Sequence, residues 1–114
     1  MKLDLEESGG VSILVLSGQL AAEGADHFRE AIETLLESGR PRILLDFTEV
    51  SFMDSAGIGE LVAAYRTVDG LGGAIKIVKP SKRIQESLSL TRLLPIFEIF
   101  ENRSEAVASF LPRN

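Results

Sequence analysis

The chain has 114 residues, enough for about one domain with its own hydrophobic core. Hydrophobic residues make up 45% and charged residues 25%, which is typical of a globular protein and excludes a disordered or fibrous chain. The absence of Cys excludes disulfides, thiolate metal sites and a cysteine nucleophile, and a single His argues against a histidine metal cluster. The net charge of -5 argues against nucleic acid or an anionic membrane as a partner.

The first eight residues, MKLDLEES, indicate where the protein works. They carry acidic side chains where a signal peptide needs a basic segment followed by an apolar one. The apolar runs of the chain are far shorter than the ~20 residues that cross a bilayer. We therefore expect a cytoplasmic protein with no membrane insertion.

The elements predicted in the first half are a β-hairpin, a helix and a buried strand. Two strand-like runs, at 2–7 and 11–16, flank a Gly9-Gly10 pair that is typical of a hairpin turn, and Gly18 is expected to close the second strand. Apolar residues at helical spacing predict a helix from about 24 to 37. The apolar run RILLDF then predicts a buried parallel strand over 42–47.

The second half alternates between helices and strands. A turn-like stretch at 48–54 is followed by elements predicted from periodicity and from turn residues. These are a helix at 55–68, a strand at 74–79, a helix at 81–88 opened by Pro80, a strand at 96–100 and a terminal helix capped by Ser104.

This order of elements predicts the fold class. A hairpin followed by alternating helices and strands is typical of an α/β domain, in which right-handed crossovers join later strands that are mainly parallel. We expect a single domain over residues 1–114, with a mixed, mainly parallel sheet of five strands and about four helices. One face of this sheet is expected to be covered less than the other.

The most informative segment is LLDFTEVSFMDSAGIGELVAAY, residues 44–65. It delivers Asp54 and Ser55 to the start of a helix, and Gly57 and Gly59 follow in the first turns. Each of these glycines costs about 1 kcal/mol of helix propensity relative to Ala, which suggests close approach to the backbone. A hydroxyl at a helix N-terminus, beside unpaired N–H groups, is a favourable place for a phosphate.

A purely structural explanation is also open. Asp54 or Ser55 simply caps the helix, and the glycines let it pack closely on the sheet. Local chemistry alone favours this explanation, because Asp-Ser at a helix start is common.

The motif VSFMDSAGIGEL resembles the signature of STAS domains, specifically the small bacterial anti-sigma factor antagonists. The resemblance extends over essentially the whole chain, through LSGQL before the first helix, GLGG-AIKIV and LTRLLPIFEIF. It shifts the balance towards a phosphorylatable switch.

The resemblance implies roles for individual residues. Ser55 matches the serine that a Ser/Thr-kinase anti-sigma factor phosphorylates, and a PP2C-type phosphatase restores the unmodified form. Asp54 would shape this site, and Gly57 and Gly59 would leave room for the partner. The implied partner-binding residues are Gly18, Gln19, Leu20, Phe52, Met53, Asp54, Ser55, Ala56, Gly57 and Gly59.

The sequence departs from the family pattern at two positions. Ala56 stands where many members carry Ser or Thr, and Ala21 stands where an Asp often follows the first-loop motif. The serine that matches the phosphate acceptor of the family is present, whereas the two substitutions bear on which partner is recognised. Phe52 and Met53, if exposed, would supply apolar contacts around the charge switch.

A phosphoaspartate receiver domain shares the length, an apolar strand ending in Asp46 and a later Lys79-Pro80. Its Mg²⁺ site needs an acidic pair after the first parallel strand, and VSILVLSGQL has none. A serine hydrolase is disfavoured because DSAGIG is not a G-x-S-x-G elbow and because His27 is expected at the surface. We therefore predict no catalytic residue, no metal and no cofactor.

The expected function is a phosphorylation-controlled interaction switch of the anti-sigma factor antagonist type. The alternative is a STAS subunit that serves a transporter or signalling scaffold as a structural or regulatory component, without a phosphorylation cycle. The basic cluster KPSKR at 79–83 is expected to be a solvated helix start. Because the chain is acidic overall, we expect the partner to present basic residues near Ser55.

Overall fold

The computed structural model of the protein describes residues 1–111, in which five strands form one sheet and four helices pack on it. The strands are β1 (Lys2–Ser8), β2 (Val11–Leu20), β3 (Arg42–Met53), β4 (Ala74–Val78) and β5 (Ile99–Phe100), and the helices are α1 (Ala22–Glu37), α2 (Ser55–Gly70), α3 (Lys82–Leu90) and α4 (Arg103–Ala108). The predicted α/β class is confirmed. Residues 112–114 of the predicted domain lie outside the described residues.

The strands lie in the order β1-β2-β3-β4-β5. Strands β1 and β2 are antiparallel, and each later neighbour is parallel. Gly9 and Gly10 both have positive φ, 57° and 79°, as a tight hairpin turn of the primed type requires. The predicted hairpin and the mainly parallel sheet are therefore confirmed.

The two faces of the sheet are covered unequally, as predicted. The larger core lies under α1, α2 and α3, with Phe28, Leu61 and Ile84 fully buried against the sheet. On the other face, Ala106 of α4 and Phe110, which follows the helix, are buried in a smaller cluster. Because α2 packs on the larger core, its start is held firmly at one edge of the sheet.

Strands β2 and β3 are both longer than the sequence patterns predicted. Gly18 does not close β2, which continues to Leu20, and β3 continues past Asp46 to Met53. The predicted turn at 48–54 is therefore wrong. Burial in this half of β3 falls on Phe47, Val50 and Met53, and the pairing with β2 shifts register twice, so the alternation that identifies a strand is lost.

The last elements also differ in detail from their predictions. Ser81, and not Pro80, caps α3 by accepting a hydrogen bond from Ile84 N. Asn102, rather than Ser104, caps α4 through a 2.9 Å bond from Glu105 N. Strand β5 is confined to two residues, because the chain makes turns just before Ile99.

Helix α4 is attached to the sheet by charged groups at both ends. At its start, the guanidinium of Arg103 lies 2.9 Å from a carboxylate oxygen of the buried Asp46. It lies 2.9 Å from a carboxylate oxygen of the exposed Glu6 as well. Near its end, Lys76 Nζ donates to the carbonyl and hydroxyl of Ser109. We call Glu6, Asp46 and Arg103 the Arg103 network.

The Arg103 network sets the ionisation of its carboxyl groups. Burial alone would raise the pKa of Asp46, but hydrogen bonds from Thr48 and Arg103 outweigh it and hold this pKa below its ordinary value. The hydrogen bond and charge of Arg103 likewise lower the pKa of Glu6. Asp46 is thus a satisfied structural carboxylate, which agrees with the exclusion of a receiver site.

Candidate functional site

The residues singled out from the sequence meet at one edge of the sheet, where β2 and β3 end and α1 and α2 begin. Ser55 is the first residue of α2, and its side chain is exposed. The pairs Gln19–Phe52 and Leu20–Met53 place the end of β2 directly beside the approach to Ser55. The structure therefore brings the two predicted segments together.

Asp54 connects the starts of both helices. One carboxylate oxygen accepts a 2.9 Å hydrogen bond from Gly57 N and caps α2. The other accepts a 3.2 Å bond from Ala22 N in the first turn of α1, where Ala21 provides no side-chain cap. Asp54 therefore accepts hydrogen bonds from one backbone N–H group in each of two helices, and these N–H groups would otherwise be unpaired. The capping explanation is correct for Asp54, and it leaves the Ser55 hydroxyl free of that task.

The two glycines of the motif lie in different surroundings. A Cβ atom on Gly57 would lie 1.8 Å from the carbonyl oxygen of Leu20, so this glycine allows α2 to rest on the end of β2. This packing accounts for the glycine without a partner, and the role of Gly57 in partner binding stays a prediction. A Cβ on exposed Gly59 would meet nothing within 4 Å, so the space above it is open.

Several predicted partner contacts are corrected by burial. Gly18, Gln19 and Leu20 belong to strand β2 and do not form a loop. The side chains of Leu20 and Met53 are buried in the larger core, at 0% and 5% exposure, and so cannot meet a partner directly. Gln19 is exposed beside this edge. Leu20 and Met53 hold the surface in place from beneath.

The exposed members of the site are mostly small or apolar. Ser55, Ala56 and Gly59 are exposed on α2, and Phe52 keeps 36% of its surface accessible on β3. An exposed Phe near an exposed serine is the arrangement expected for an interface that an added charge would disrupt.

Arg83 is the residue that the sequence interpretation did not connect to this site. Its guanidinium lies 5.6 Å from the centre of the Phe52 ring, although 31 positions separate the two along the chain. The connection depends on β3 continuing to Met53, which carries Phe52 to the edge where α3 begins. The basic cluster was visible in the sequence, but its position was not.

The site offers a hydroxyl at the positive end of a helix dipole, where an added phosphate is favourable. Within residues 1–111, no group of three or more His, Cys, Asp or Glu side chains is placed to hold a metal ion. No described helix is both long and apolar enough to cross a membrane. His27 is exposed on α1, as predicted.

Comparison with known proteins places this geometry in context. A candidate anti-sigma factor antagonist of Thermotoga neapolitana is 33% identical, over 85% of this chain and 87% of that protein. The crystal structure of a similar protein from Thermotoga maritima covers 95% of this chain and 93% of that one, with 28% identity and a TM-score of 0.89.

The Bacillus protein SpoIIAA has the same fold in two chemical forms. Its unphosphorylated form gives a TM-score of 0.82 and its phosphorylated form 0.75, each at 24% identity. The matches cover 95% of this chain in both cases, and 95% and 98% of the two SpoIIAA chains.

The family assignment rests on nearly the full length of the chain. The STAS domain family matches residues 2–106, from the first strand into α4. This range includes the hairpin, both helix starts at the site and Ser55. The chain therefore belongs to the STAS domain family.

Proposed function

We propose that the protein is an anti-sigma factor antagonist that phosphorylation of Ser55 switches off. In its unmodified form it binds a Ser/Thr-kinase anti-sigma factor and so releases the sigma factor. The kinase transfers the γ-phosphoryl group of ATP to the Ser55 hydroxyl, with loss of the hydroxyl proton, and a PP2C-type phosphatase removes it by hydrolysis. Relatives named as anti-sigma factor antagonists support this role.

One observation carries the proposal: Ser55 is an exposed hydroxyl at the start of α2 that is not needed to cap the helix. Asp54 performs the capping through its bond from Gly57 N. A phosphate on Ser55 therefore need not break the bond that holds the helix start. This explains how modification changes the surface and preserves the fold.

The phosphate would act on binding through charge and hydration. It adds about -1.5 to -2 charges at neutral pH. Phe52, Ala56 and Gly59 form the surrounding exposed surface, and burying a phosphate against such small and apolar groups carries a large desolvation penalty. The existence of SpoIIAA in both forms supports the compatibility of this fold with phosphorylation.

The proposed role requires no catalytic group or cofactor in this chain. The kinase and the phosphatase supply the chemistry, and the antagonist supplies a substrate serine and a binding surface. Both enzymes and the sigma factor act in the cytoplasm, where we place this protein.

The decisive experiment is incubation with the cognate Ser/Thr-kinase anti-sigma factor and ATP, followed by phosphosite mapping by mass spectrometry. We expect one phosphate on Ser55 in the wild type and none in Ser55→Ala. Ser51→Ala is the matched control, because Ser51 is an exposed serine on the same approach to the site and should leave labelling unchanged.

Calorimetric titration of the same kinase tests the switch itself. We expect Ser55→Asp to bind it at least tenfold more weakly than the wild type. Phosphate on another residue, or equal affinity of Ser55→Asp and wild type, would overturn the proposal.

A further inference from the structure

A second surface adjoins Ser55 on the side of α3. It consists of Phe52, Lys79, Lys82 and Arg83, all exposed, and we call it the Phe52–Arg83 surface. Phe52 lies three positions before Ser55, and Arg83 covers its ring at 5.6 Å. This surface therefore includes the strand end that leads into the proposed phosphorylation site.

The positive charges of this surface lie where the fold itself disfavours them. Lys82 and Arg83 are the first two residues of α3, at the positive end of the helix dipole, and the first turn has no acidic residue. Within residues 1–111, neither they nor Lys79 forms an ion pair, although Glu86 lies one turn further along α3. Lys82 and Arg83 therefore form a local positive patch, with Lys79 three positions before them, in a protein of net charge -5.

Phe52 gives this surface an apolar centre. A guanidinium over an aromatic ring is favourable and also fixes the position of Arg83. Arg and aromatic residues are enriched in protein interfaces, where they supply much of the binding energy. Phe52 and Arg83 together therefore have the composition of an interface anchor with cations around it.

We propose that the Phe52–Arg83 surface docks an acidic segment of the same protein that binds Ser55. This inference rests on the proposed function, and it adds an acidic segment to the basic residues that the partner is expected to present near Ser55. A protein segment fits better than a nucleic acid, because the cations cover a small area around an apolar centre, Phe52.

The location of this surface adds a second effect to phosphorylation. A phosphate on Ser55 would add up to two negative charges three positions after Phe52. It would then repel the acidic segment of the partner. Phosphorylation would weaken binding at both parts of the interface.

The test is the double charge reversal Lys82→Glu with Arg83→Glu, measured against the cognate anti-sigma factor kinase at low and high salt. We expect the association rate constant at low salt to fall about tenfold and its salt dependence to become weaker. Phe52→Ala should accelerate dissociation. The matched control is Arg42→Glu, an exposed cation at the opposite end of β3, which should leave the kinetics unchanged.

The same variant separates binding from stability. Glu in the first turn of a helix is favoured by the dipole, which offsets the lost contact of Arg83 with Phe52 and the repulsion from Glu86, so the double variant should melt near the wild-type temperature. Loss of binding in a protein of nearly unchanged stability cannot be attributed to unfolding.

The outcomes distinguish this inference from the proposed function. The docking inference alone would be overturned by three results together. The wild type binds the kinase, Ser55→Asp loses this binding, and the double reversal leaves it unchanged. Failure of the wild type to bind the kinase at all would overturn both. Binding of duplex DNA or phosphatidylglycerol vesicles that the double reversal abolishes, with kinase binding unchanged, would also overturn the inference.

Discussion

Two regions of this domain place charged groups in opposite situations. On the α4 face, Arg103 is paired with Glu6 and with the buried Asp46. At the start of α2 and α3, Ser55 is exposed and Lys82 and Arg83 have no carboxylate partner within residues 1–111. The α4 face therefore uses its charges inside the fold, whereas the other region presents them to solvent.

This difference indicates which region is structural and which is available to a partner. Asp54, which is half-buried, and Gly57, which is buried, are the exceptions at the site edge, because they hold the helix starts. Variants of these two residues should affect stability and binding together. Variants on the α4 face should change stability and leave binding intact.

The largest effect is expected for Gly57→Ala. Its new Cβ would lie 1.8 Å from a backbone oxygen, a contact that only a shift of α2 against β2 can relieve. We expect the free energy of unfolding to fall by about 3 kcal/mol or more, as for severe overpacking. Urea denaturation measures this change.

Gly59→Ala is the matched control. Open space surrounds Gly59, and Ala is the better helix former, so stability should rise by about 0.5–1 kcal/mol. Equal stability of Gly57→Ala and wild type would refute the close contact between the start of α2 and Leu20.

A smaller effect is expected for Asp54→Ala. The substitution removes the hydrogen bonds to Gly57 N and Ala22 N, so two helix starts lose a partner. At about 1 kcal/mol for each cap, the free energy of unfolding should fall by about 2 kcal/mol. Thermal denaturation gives the stability.

The same variant should reduce labelling of Ser55 by the kinase, because the acceptor loses its fixed position. Asp54→Asn keeps an oxygen acceptor and should recover most of the stability. A loss below 0.5 kcal/mol in Asp54→Ala, on the order of a neutral surface change, would show that the double cap contributes little.

The sequence predicted the order of elements and the location of Ser55, because both depend on local patterns. Periodicity of 3.6 and of 2 residues identifies α1, α2 and β4 directly, and Asp-Ser followed by glycines marks a helix start. The resemblance to STAS domains added the proposed role of Ser55, which local chemistry alone left open between capping and phosphorylation.

What the sequence missed depends on contacts between distant segments. The purpose of Gly57 is visible only when β2 lies beneath it, and the pairing of Phe52 with Arg83 requires the true length of β3. Asp46 carried no sign that Arg103, 57 positions later, would neutralise it. These are tertiary contacts that spacing along the chain does not encode.

The smallest effect concerns the α4 face and its dependence on pH. Replacing Arg103 with Gln removes a charged hydrogen-bond partner of Asp46, and the free energy of unfolding at pH 7 should fall by about 1.5 kcal/mol. Urea denaturation at pH 7, 5, 4 and 3 measures it, with Arg42→Gln as the control for loss of one exposed positive charge. Partner binding at neutral pH should not change.

The direction of the pH effect follows from the lowered pKa values of Asp46 and Glu6. Their ordinary values are 3.8 and 4.5, and the folded protein holds both lower, so the unfolded state binds more protons in the acid range. The stabilisation is therefore complete above about pH 5 and is lost as pH falls through the folded values. The difference in free energy of unfolding between wild type and Arg103→Gln should therefore become smaller at acidic pH. A difference that stays constant from pH 7 to 3 would mean that Arg103 stabilises α4 through packing and not through its carboxylate partners.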